Sequence, residues 1–318
     1  MYLGLVVDVL MGFSLTFVIS KALLSLSHTI NVAIKPELAE KQSKKQGTPS
    51  IGGIAFCLGT LISFCFSSSR ALPSVYLPLL ALLVFGLIGL LDDLAKPRHQ
   101  NGDGISSLTK LLLQVSGAVL LLFVLYRSNS ISTMLHVPFL KGLTLQLGAW
   151  YYVFSLFYIL YFVNAVNITD GLDALAAGSS LPLLLLLVFF SFTKGSTVSL
   201  ALIGSLLAFL WYNRAPARYF MGDCGSHALG GYMAISALLL HTELVMLVAS
   251  GLFLVEFATS LIQIISIRST GNKVFSIAPL HHAYELKGVK ESNIVKRFTL
   301  SSWMFTLVAL LLFLGTNW

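Results

Sequence analysis

The sequence predicts an all-α polytopic membrane protein, and three observations support this fold class. Of its 318 residues, 56% are apolar and 10% are charged, whereas soluble domains carry about 25% charged residues. The mean hydropathy is +0.86. Apolar runs of about 20 residues, long enough to cross about 30 Å of hydrocarbon, recur along the whole chain. We therefore expect a single integral membrane domain over residues 1–318.

Ten apolar runs lie between polar breaks, and each is predicted to be a transmembrane helix. The first run has no basic segment ahead of it and no small-residue cleavage site, so we expect it to remain as a membrane helix. The stretch 130–146 is the longest outward loop and has room for a short hairpin. The predicted spans lie near residues 3–26, 51–69, 73–91, 105–126, 147–166, 175–193, 196–213, 226–240, 243–267 and 298–316.

Basic residues are distributed unevenly between the loops. Of the 20 Lys and Arg residues, fifteen fall in odd-numbered loops, four (Arg70, Arg127, Lys141 and Lys194) fall in even-numbered loops, and Lys21 lies near the inner end of the first span. Because loops rich in Lys and Arg stay in the cytoplasm, the odd loops are predicted to be cytoplasmic and both termini to lie outside.

Acidic residues follow the same bias, because only Asp8, Glu243 and Glu256 of the 13 lie outside the odd loops and their borders. We therefore expect an active-site cleft at the cytoplasmic face. The net charge of +7 is spread over short separate segments, so nucleic-acid binding is not indicated. The three cysteines have no CxxC spacing, so neither a disulfide framework nor a zinc site is predicted.

Asp92 and Asp93 end the third predicted span in the segment GLIGLLDDLAKP. Adjacent helical positions point about 100° apart, so the two carboxylates can serve different partners. Acidic residues at a helix C-terminus oppose the helix dipole. We therefore expect compensation from a metal ion or from the nearby Lys96 and Lys110.

The fifth loop reads NAVNITDGLDALAAG and spaces Asn167, Asp170 and Asp173 three residues apart. This spacing predicts one polar helical face, and Gly171 permits close backbone approach. Such a face suits contacts with phosphate, ribose or magnesium.

The seventh loop, RYFMGDCGSHALGG, places Asp223 in a glycine-bracketed turn before a helix. The first turn of that helix has free N–H groups that can bind phosphate beside a carboxylate-bound magnesium ion. The segment is neither a P-loop nor a dinucleotide fingerprint. His227 is predicted to pack or cap and not to catalyse.

The ninth loop contains APLHHAYELKGVKESNIVKR, in which His281 and His282 follow a proline. Paired histidines can contact a diphosphate or transfer protons near neutral pH. From residue 284 the segment is predicted to form an amphipathic interfacial helix facing anionic lipid. The first loop ends KKQGTPSIGG and supplies lysines, hydroxyls and a glycine pair.

Five segments occur in one order between about residues 44 and 297: GTPSIGG, LLDDLAK, NAVNITDGLDALAAG, MGDCGSHALGG and APLHHAYELKG. Together they resemble the polyprenyl-phosphate N-acetylhexosamine-1-phosphate transferases, most of all those that use a muramoyl-pentapeptide donor. The resemblance implies a ten-helix fold and a magnesium-dependent step of peptidoglycan synthesis at the plasma (inner) membrane. UDP-N-acetylmuramoyl-pentapeptide and undecaprenyl phosphate would give lipid I and UMP.

The resemblance also implies roles for individual residues. Asp92, Asp93, Asp223 and His281 would be catalytic, with Asp92 deprotonating or positioning the lipid phosphate. Magnesium would be held by Asp223, assisted by Asp93 or Asp170. Substrate contacts would come from Lys45, Ser50, Lys96, Lys110, Asn167, Asp170, Gly171, Asp173, Asn213, Phe220 and His282.

Three positions depart from the family pattern. Ala283 stands where a third histidine is usual, Cys224 stands where threonine is usual, and Ser50 stands where threonine is common. Because Ala283 weakens the preference for the muramoyl-pentapeptide donor, a sister enzyme that moves N-acetylglucosamine-1-phosphate to polyprenyl phosphate is the main alternative. A proton-coupled transporter is a more distant one. The resemblance is also compatible with a homodimer.

Overall fold

The computed structural model describes residues 2–26, 47–66, 73–96, 104–138, 140, 142–192 and 198–315. Within these ranges the chain forms twelve helices and one two-stranded hairpin. The helices are α1 Tyr2–Leu26, α2 Gly52–Phe66, α3 Pro73–Ala95, α4 Ser107–Arg127, α5 Trp150–Thr169, α6 Leu175–Phe192, α7 Val198–Asn213, α8 Gly222–Leu240, α9 Glu243–Ala249, α10 Gly251–Thr270, α11 Leu280–Leu286 and α12 Glu291–Gly315. The strands are β1 Met134–His136 and β2 Thr144–Gln146.

Seven of the described helices are long and apolar enough to cross a membrane, namely α1, α3, α4, α5, α6, α10 and α12. Helices α2 and α7 are apolar but shorter, and α8 carries the polar segment around Asp223. The chain is therefore a mostly helical, multi-pass membrane protein.

Two of the predicted spans differ from the observed helices by more than four residues. The predicted ninth span, 243–267, is two helices, α9 and α10, that meet at Ser250. A small polar residue followed by Gly251 favours such a break, and mean hydropathy does not register it. The last helix begins at Glu291 and not near residue 298, and α11 ends at Leu286. The predicted interfacial helix from residue 284 is therefore wrong, because the chain turns between these two helices.

Helix α8 lies at the centre of the bundle, packs against α2, α3, α5 and α6, and is buried over residues 224–239. Its first turn approaches two neighbours at backbone distance. A Cβ atom at Gly89 on α3 would lie 2.0 Å from the carbonyl oxygen of Asp223. A Cβ atom at Gly53 on α2 would lie 2.3 Å from the nitrogen of Gly225. Glycine at these two positions allows the three helices to pack this closely.

The hairpin and the polar helix ends lie at opposite ends of the bundle. Strands β1 and β2 pair antiparallel, with Met134 opposite Gln146, which confirms the predicted short hairpin. The hairpin follows the C-terminus of α4, whereas Lys110 lies in the first turn of that helix. The ends of α3 and α5 and the beginnings of α4 and α8 therefore meet at one end, where the candidate site lies.

Candidate active site

Asp92 and Asp93, at the end of α3, and Asp223, in the first turn of α8, form what we term the acidic cluster. One carboxylate oxygen from each residue lies within 4.8 Å of the others. Asp92 and Asp93 are only 1% and 4% exposed, and the side chain of Asp223 is 14% exposed. Two acidic segments that are distant in the sequence thus meet, and the Asp223 carboxylate is the most exposed of the three.

Lys96 and Lys110 bridge the acidic cluster, as the charge pattern predicts. The Nζ atom of Lys96 lies 2.8 Å from Asp93 Oδ1, 3.0 Å from Asp223 Oδ1 and 3.4 Å from Asp92 Oδ2. That of Lys110 lies 3.0 Å from Asp92 Oδ2 and also contacts Asp223. Burial disfavours the charged form of Lys96, but Asp223 and Asp93 outweigh burial and raise its pKa above the ordinary value. Three carboxylates therefore face two ammonium groups, a formal excess of one negative charge when all three carboxylates are ionised.

Asp93 also joins α3 to the beginning of α8. Its Oδ1 accepts the backbone N–H of Asp223 at 3.1 Å, and its Oδ2 accepts that of Cys224 at 2.9 Å. These donors belong to the first turn of α8, where N–H groups have no partner inside the helix and the helix dipole favours an anion. Asp93 thus fixes the orientation of Asp223 relative to α3.

Asn167, on the last turn of α5, contacts the acidic cluster from a third helix. Its Nδ2 donates to Asp223 Oδ1 at 3.1 Å and to the hydroxyl of Ser226 at 2.9 Å. Asp223 is therefore held by α3, α4, α5 and its own helix, which limits the positions its carboxylate can take.

Asp170 and Asp173 do not share a helical face with Asn167. Helix α5 ends at Thr169 and Asp170 is its C-cap, while Ala174 has a left-handed backbone with φ of 68°. The predicted stripe is wrong because the chain turns here. Desolvation raises the pKa of Asp170 well above its ordinary value, and the Asp223 and Asp93 carboxylates add to this rise.

Asp173 and Asn213 tie loops together. Asp173 Oδ2 accepts the backbone N–H of Ala217 at 3.0 Å, and its own N–H donates to Glu291 Oε1 at 2.8 Å. Asn213 Oδ1 accepts the N–H of Ala174 at 2.8 Å. These bonds connect the turn after α5, the loop after α7 and the start of α12. They give both residues a scaffolding role in the wall of the site.

His281 lies on α11 and packs against the turn after α5. A Cβ atom at Gly171 would lie 2.1 Å from His281 Nε2, so Gly171 permits this close approach. The Nδ1 atom of His281 lies 2.8 Å from Glu256 Oε2, and both residues are 0% exposed. Burial lowers the pKa of His281 below the ordinary value, although Glu256 acts in the opposite direction. His281 Nε2 has no hydrogen-bond partner within the described ranges.

Glu256 is a site residue that the sequence reasoning missed. It lies on α10 and also accepts the backbone N–H of His281 at 3.2 Å. The available signal was a carboxylate inside an apolar span, which is costly without a partner.

His282 stacks obliquely on His281, with ring centroids 4.2 Å apart, and its Nδ1 lies 2.9 Å from Glu285 Oε2. Ala283 follows in the same short helix. Each of the two histidines therefore has its own carboxylate partner, Glu256 for the first and Glu285 for the second.

Ser50 and Phe220 lie where the segment before α2 meets the segment before α8. The backbone N–H of Phe220 donates to Pro49 O at 2.9 Å, and Phe220 O accepts the N–H of Gly52 at 2.9 Å. Ser50 is 8% exposed, and its Oγ would lie 2.3 Å from a Cβ atom at Gly222. Lys45 lies outside the described residues.

The acidic cluster fits a hard divalent cation. Its three donors are carboxylate oxygens, which Mg²⁺ prefers, and they are close enough to share one ion. Their excess negative charge over Lys96 and Lys110 also favours cation binding. Asp170 is outside this group of three, although the Asp223 and Asp93 carboxylates are close enough to raise its pKa.

Comparisons with known proteins identify the family of this chain. Residues 75–241 match the family described as glycosyl transferase family 4. A protein of Rickettsia rickettsii named phospho-N-acetylmuramoyl-pentapeptide-transferase is 36% identical over 95% of this chain and 90% of its own length. Proteins of the same name from Rickettsia felis and Rickettsia akari are each 35% identical with the same coverage. The chain therefore belongs to glycosyl transferase family 4 and, within it, to the phospho-N-acetylmuramoyl-pentapeptide transferases.

Proposed function

We propose that this protein transfers phospho-N-acetylmuramoyl-pentapeptide from its UDP-linked donor to undecaprenyl phosphate, giving lipid I and UMP for peptidoglycan synthesis. The observation that carries the proposal is the acidic cluster bridged by Lys96 and Lys110 at one end of a membrane-helix bundle. Both substrates carry phosphate, so their encounter requires cationic groups at the site. A site at helix ends lets the polyprenyl chain stay in hydrocarbon while its phosphate reaches the polar cleft.

The proposed topology has ten transmembrane helices, both termini outside and the site facing the cytoplasm. The excess of Lys and Arg in alternate loops supports this orientation. The proposed location is the plasma (inner) membrane, with the whole chain, residues 1–318, as one domain. A homodimer in contact with membrane lipid is the proposed assembly.

The proposed nucleotide subsite lies around the acidic cluster and the turn after α5. Lys96 and Lys110 would contact the diphosphate, since their ammonium groups lie at the proposed metal site and their side chains are partly exposed. Phe220 would stack on the uracil. The remaining proposed contacts are Lys45, Ser50, Asn167, Asp170, Gly171, Asp173, Asn213 and His282.

Asp223 and Asp93, with Asp170 beside them, would hold Mg²⁺. The bound ion would neutralise negative charge on the donor diphosphate. Asp93 also accepts hydrogen bonds from two backbone N–H groups of α8. It would therefore position Asp223 as well as bind the ion.

Asp92 is the proposed positioning group or base for the lipid phosphate. An oxygen of that phosphate attacks the sugar-linked phosphorus of the donor, a new P–O bond forms, and the P–O bond to UMP breaks. His281 would lie beside the diphosphate, because Glu256 holds its Nδ1 and its Nε2 faces the turn after α5. The lowered pKa of His281 favours its neutral form near pH 7.

The deciding test compares donors in purified, detergent-solubilised protein. With undecaprenyl phosphate and Mg²⁺, UDP-N-acetylmuramoyl-pentapeptide should release UMP, whereas omitting the lipid or adding a chelator should abolish release. Preference for UDP-N-acetylglucosamine would replace the proposal with the sister transferase. Flux of solute through proteoliposomes without UMP from either donor would indicate a transporter.

Direct attack by lipid phosphate and a two-step route through a phosphoryl-enzyme predict different single-turnover results. Under direct attack, the wild-type protein releases no UMP until lipid is added. Under the two-step route, it releases up to one UMP per protein together with a covalent adduct. Loss of that adduct in Asp92→Asn would identify Asp92 as the nucleophile.

A further inference from the structure

A second polar layer lies beneath the acidic cluster, formed by Gln114, Asn164 and His227. We propose that these three residues, here termed the buried triad, are positioning residues that keep Asp223 and its partners aligned for transfer. The proposal rests on the proposed function, because it assigns the triad a role in the same site.

The two layers use the same three helices. Gln114 lies four residues after Lys110 on α4, and His227 lies four residues after Asp223 on α8. Asn164 lies three residues before Asn167 on α5. Residues three or four apart in a helix lie on the same face, one turn apart. Each member of the triad is therefore one turn deeper than a residue that contacts Asp223, or than Asp223 itself.

The members of the triad also contact one another. Gln114 Nε2 lies 2.8 Å from His227 Nε2, and Asn164 Nδ2 donates to Gln114 Oε1 at 2.9 Å. Gln114 is 1% exposed and His227 is 0% exposed. In the upper layer, Lys110 and Asn167 both donate to Asp223. Both layers thus link α4, α5 and α8 through hydrogen bonds.

The orientation of the triad follows from one backbone group. Asn164 Nδ2 also donates to the carbonyl of Leu160 at 2.8 Å, which places the Asn164 amide nitrogen toward Gln114 Oε1. Gln114 therefore presents its NH₂ group to His227. Since an amide nitrogen only donates, His227 Nε2 accepts and the ring hydrogen is assigned to Nδ1.

Apolar side chains would be enough if the triad only packed the three helices together. In the part of the chain that the structure describes, Nδ1 of His227 makes no hydrogen bond of ordinary geometry, although the Asp223 backbone lies near the ring. A poorly satisfied buried donor is destabilising. An apolar side chain would avoid this cost. A directional network instead fixes the rotation and register of three helices relative to one another, which is what alignment of Lys110, Asn167 and Asp223 requires.

The test uses His227→Leu and Gln114→Met, which remove the hydrogen bonds and keep an apolar side chain of similar length. With UDP-N-acetylmuramoyl-pentapeptide as donor, kcat should fall between about tenfold and about a hundredfold. The double variant should be no worse than the poorer single variant, because both break one network. His227→Gln, which can still accept from Gln114, should recover most of the kcat.

The matched control is Ser236→Ala, which removes a buried hydroxyl farther along α8 that donates to Tyr232 O within the same helix at 2.7 Å and should leave kcat unchanged. Two results would overturn the proposal. One is a folded Gln114→Met protein with wild-type kcat, and the other is a loss of kcat in His227→Gln as large as in His227→Leu. If His227→Leu does not fold, the kcat values of Gln114→Met and His227→Gln still test the proposal.

A second measurement separates this proposal from the proposed function. Mg²⁺ with UMP should raise the thermal unfolding midpoint of the wild-type protein in detergent. Both triad variants should reduce that rise, whereas Ser236→Ala should not. A wild-type protein that turns over neither donor but shows this pattern would refute the proposed reaction and support the positioning role. An equal rise in all variants would refute the positioning role.

Discussion

Buried carboxylates lie beside both ends of α8, but their surroundings differ. At the Asp223 end, three carboxylates share two lysines whose side chains are 27% and 23% exposed. At the other end, Glu243 is 0% exposed; the hydroxyl of Tyr151 donates to its carboxylate and that of Tyr158 to its backbone carbonyl. Helix α8 has 19 residues, which separates the two ends by about 28 Å.

The difference indicates which kind of burial marks a reactive site. The Glu243 carboxylate accepts from the Tyr151 hydroxyl and lies 4.0 Å from Nδ1 of His241. It is itself fully buried. The acidic cluster has excess negative charge and cationic neighbours that water can reach. A buried carboxylate alone therefore does not indicate a site, and the several carboxylates with partly exposed counter-charges are what support the proposed one.

The largest expected effect follows from Asp223. Asp223→Ala should lower kcat by about a thousandfold or more, since the group at the centre of the cluster is lost. Asp93→Ala should be similarly severe. Glu243→Gln at the other end should keep kcat and lower the free energy of unfolding by about 1–3 kcal/mol. UMP release and thermal unfolding in detergent measure both effects; comparable loss of kcat in the Glu243 variant would contradict the comparison.

The next effect concerns Glu256, which is as buried as Glu243 but pairs with His281. Glu256→Gln should lower kcat between about tenfold and about a hundredfold, because the histidine loses its orienting carboxylate. The matched control is Glu243→Gln. Equal kcat values in the two variants would remove His281 from the proposed mechanism.

A smaller effect is expected from Gly171→Ala. The added methyl group would meet His281 Nε2 at 2.1 Å, so the imidazole must move, and kcat should fall about tenfold. Gly86→Ala on α3 is the control, since its nearest neighbour would be an ordinary 3.4 Å away. A wild-type rate in Gly171→Ala would mean that the position of His281 is unimportant.

The smallest effect is a pH dependence of stability. Burial lowers the pKa of both His281 and His136. Between the folded and unfolded pKa values the unfolded state binds more protons, so stability is fully present above about pH 6.5 and is lost as the pH falls toward the folded values. The thermal midpoint should therefore fall on acidification. His281→Gln should flatten this dependence more than His136→Gln, because His281 is fully buried and His136 is not; a midpoint that rises on acidification would contradict this.

Much of the architecture was predictable, because a helix that crosses a membrane needs a run of about 20 apolar residues and such runs are visible in the sequence. The Ser250 break was missed because a two-residue interruption hardly changes mean hydropathy. The family resemblance is confirmed, and the predicted compensation of Asp92 and Asp93 by Lys96 and Lys110 appears in the ion pairs of the structure.

The rest of the site depends on contacts that spacing cannot encode. The Asn167 to Asp173 stripe assumed that α5 continues, but the helix ends at Thr169. Glu256 meets His281 only because the chain after α10 folds back along that helix. The triad of Gln114, Asn164 and His227 unites single polar residues from three spans, each of which is unremarkable alone.

The backbone contacts around the first turn of α8 have a consequence for sequence divergence. Gly53 and Gly89 let the backbones of their helices contact this turn directly. The carboxylate of Asp93 accepts the backbone N–H groups of the turn. None of these contacts depends on the identity of the side chains that face lipid. The outer surfaces of the helices can therefore exchange one apolar residue for another, and adapt to membranes of different composition, while the carboxylates keep their positions.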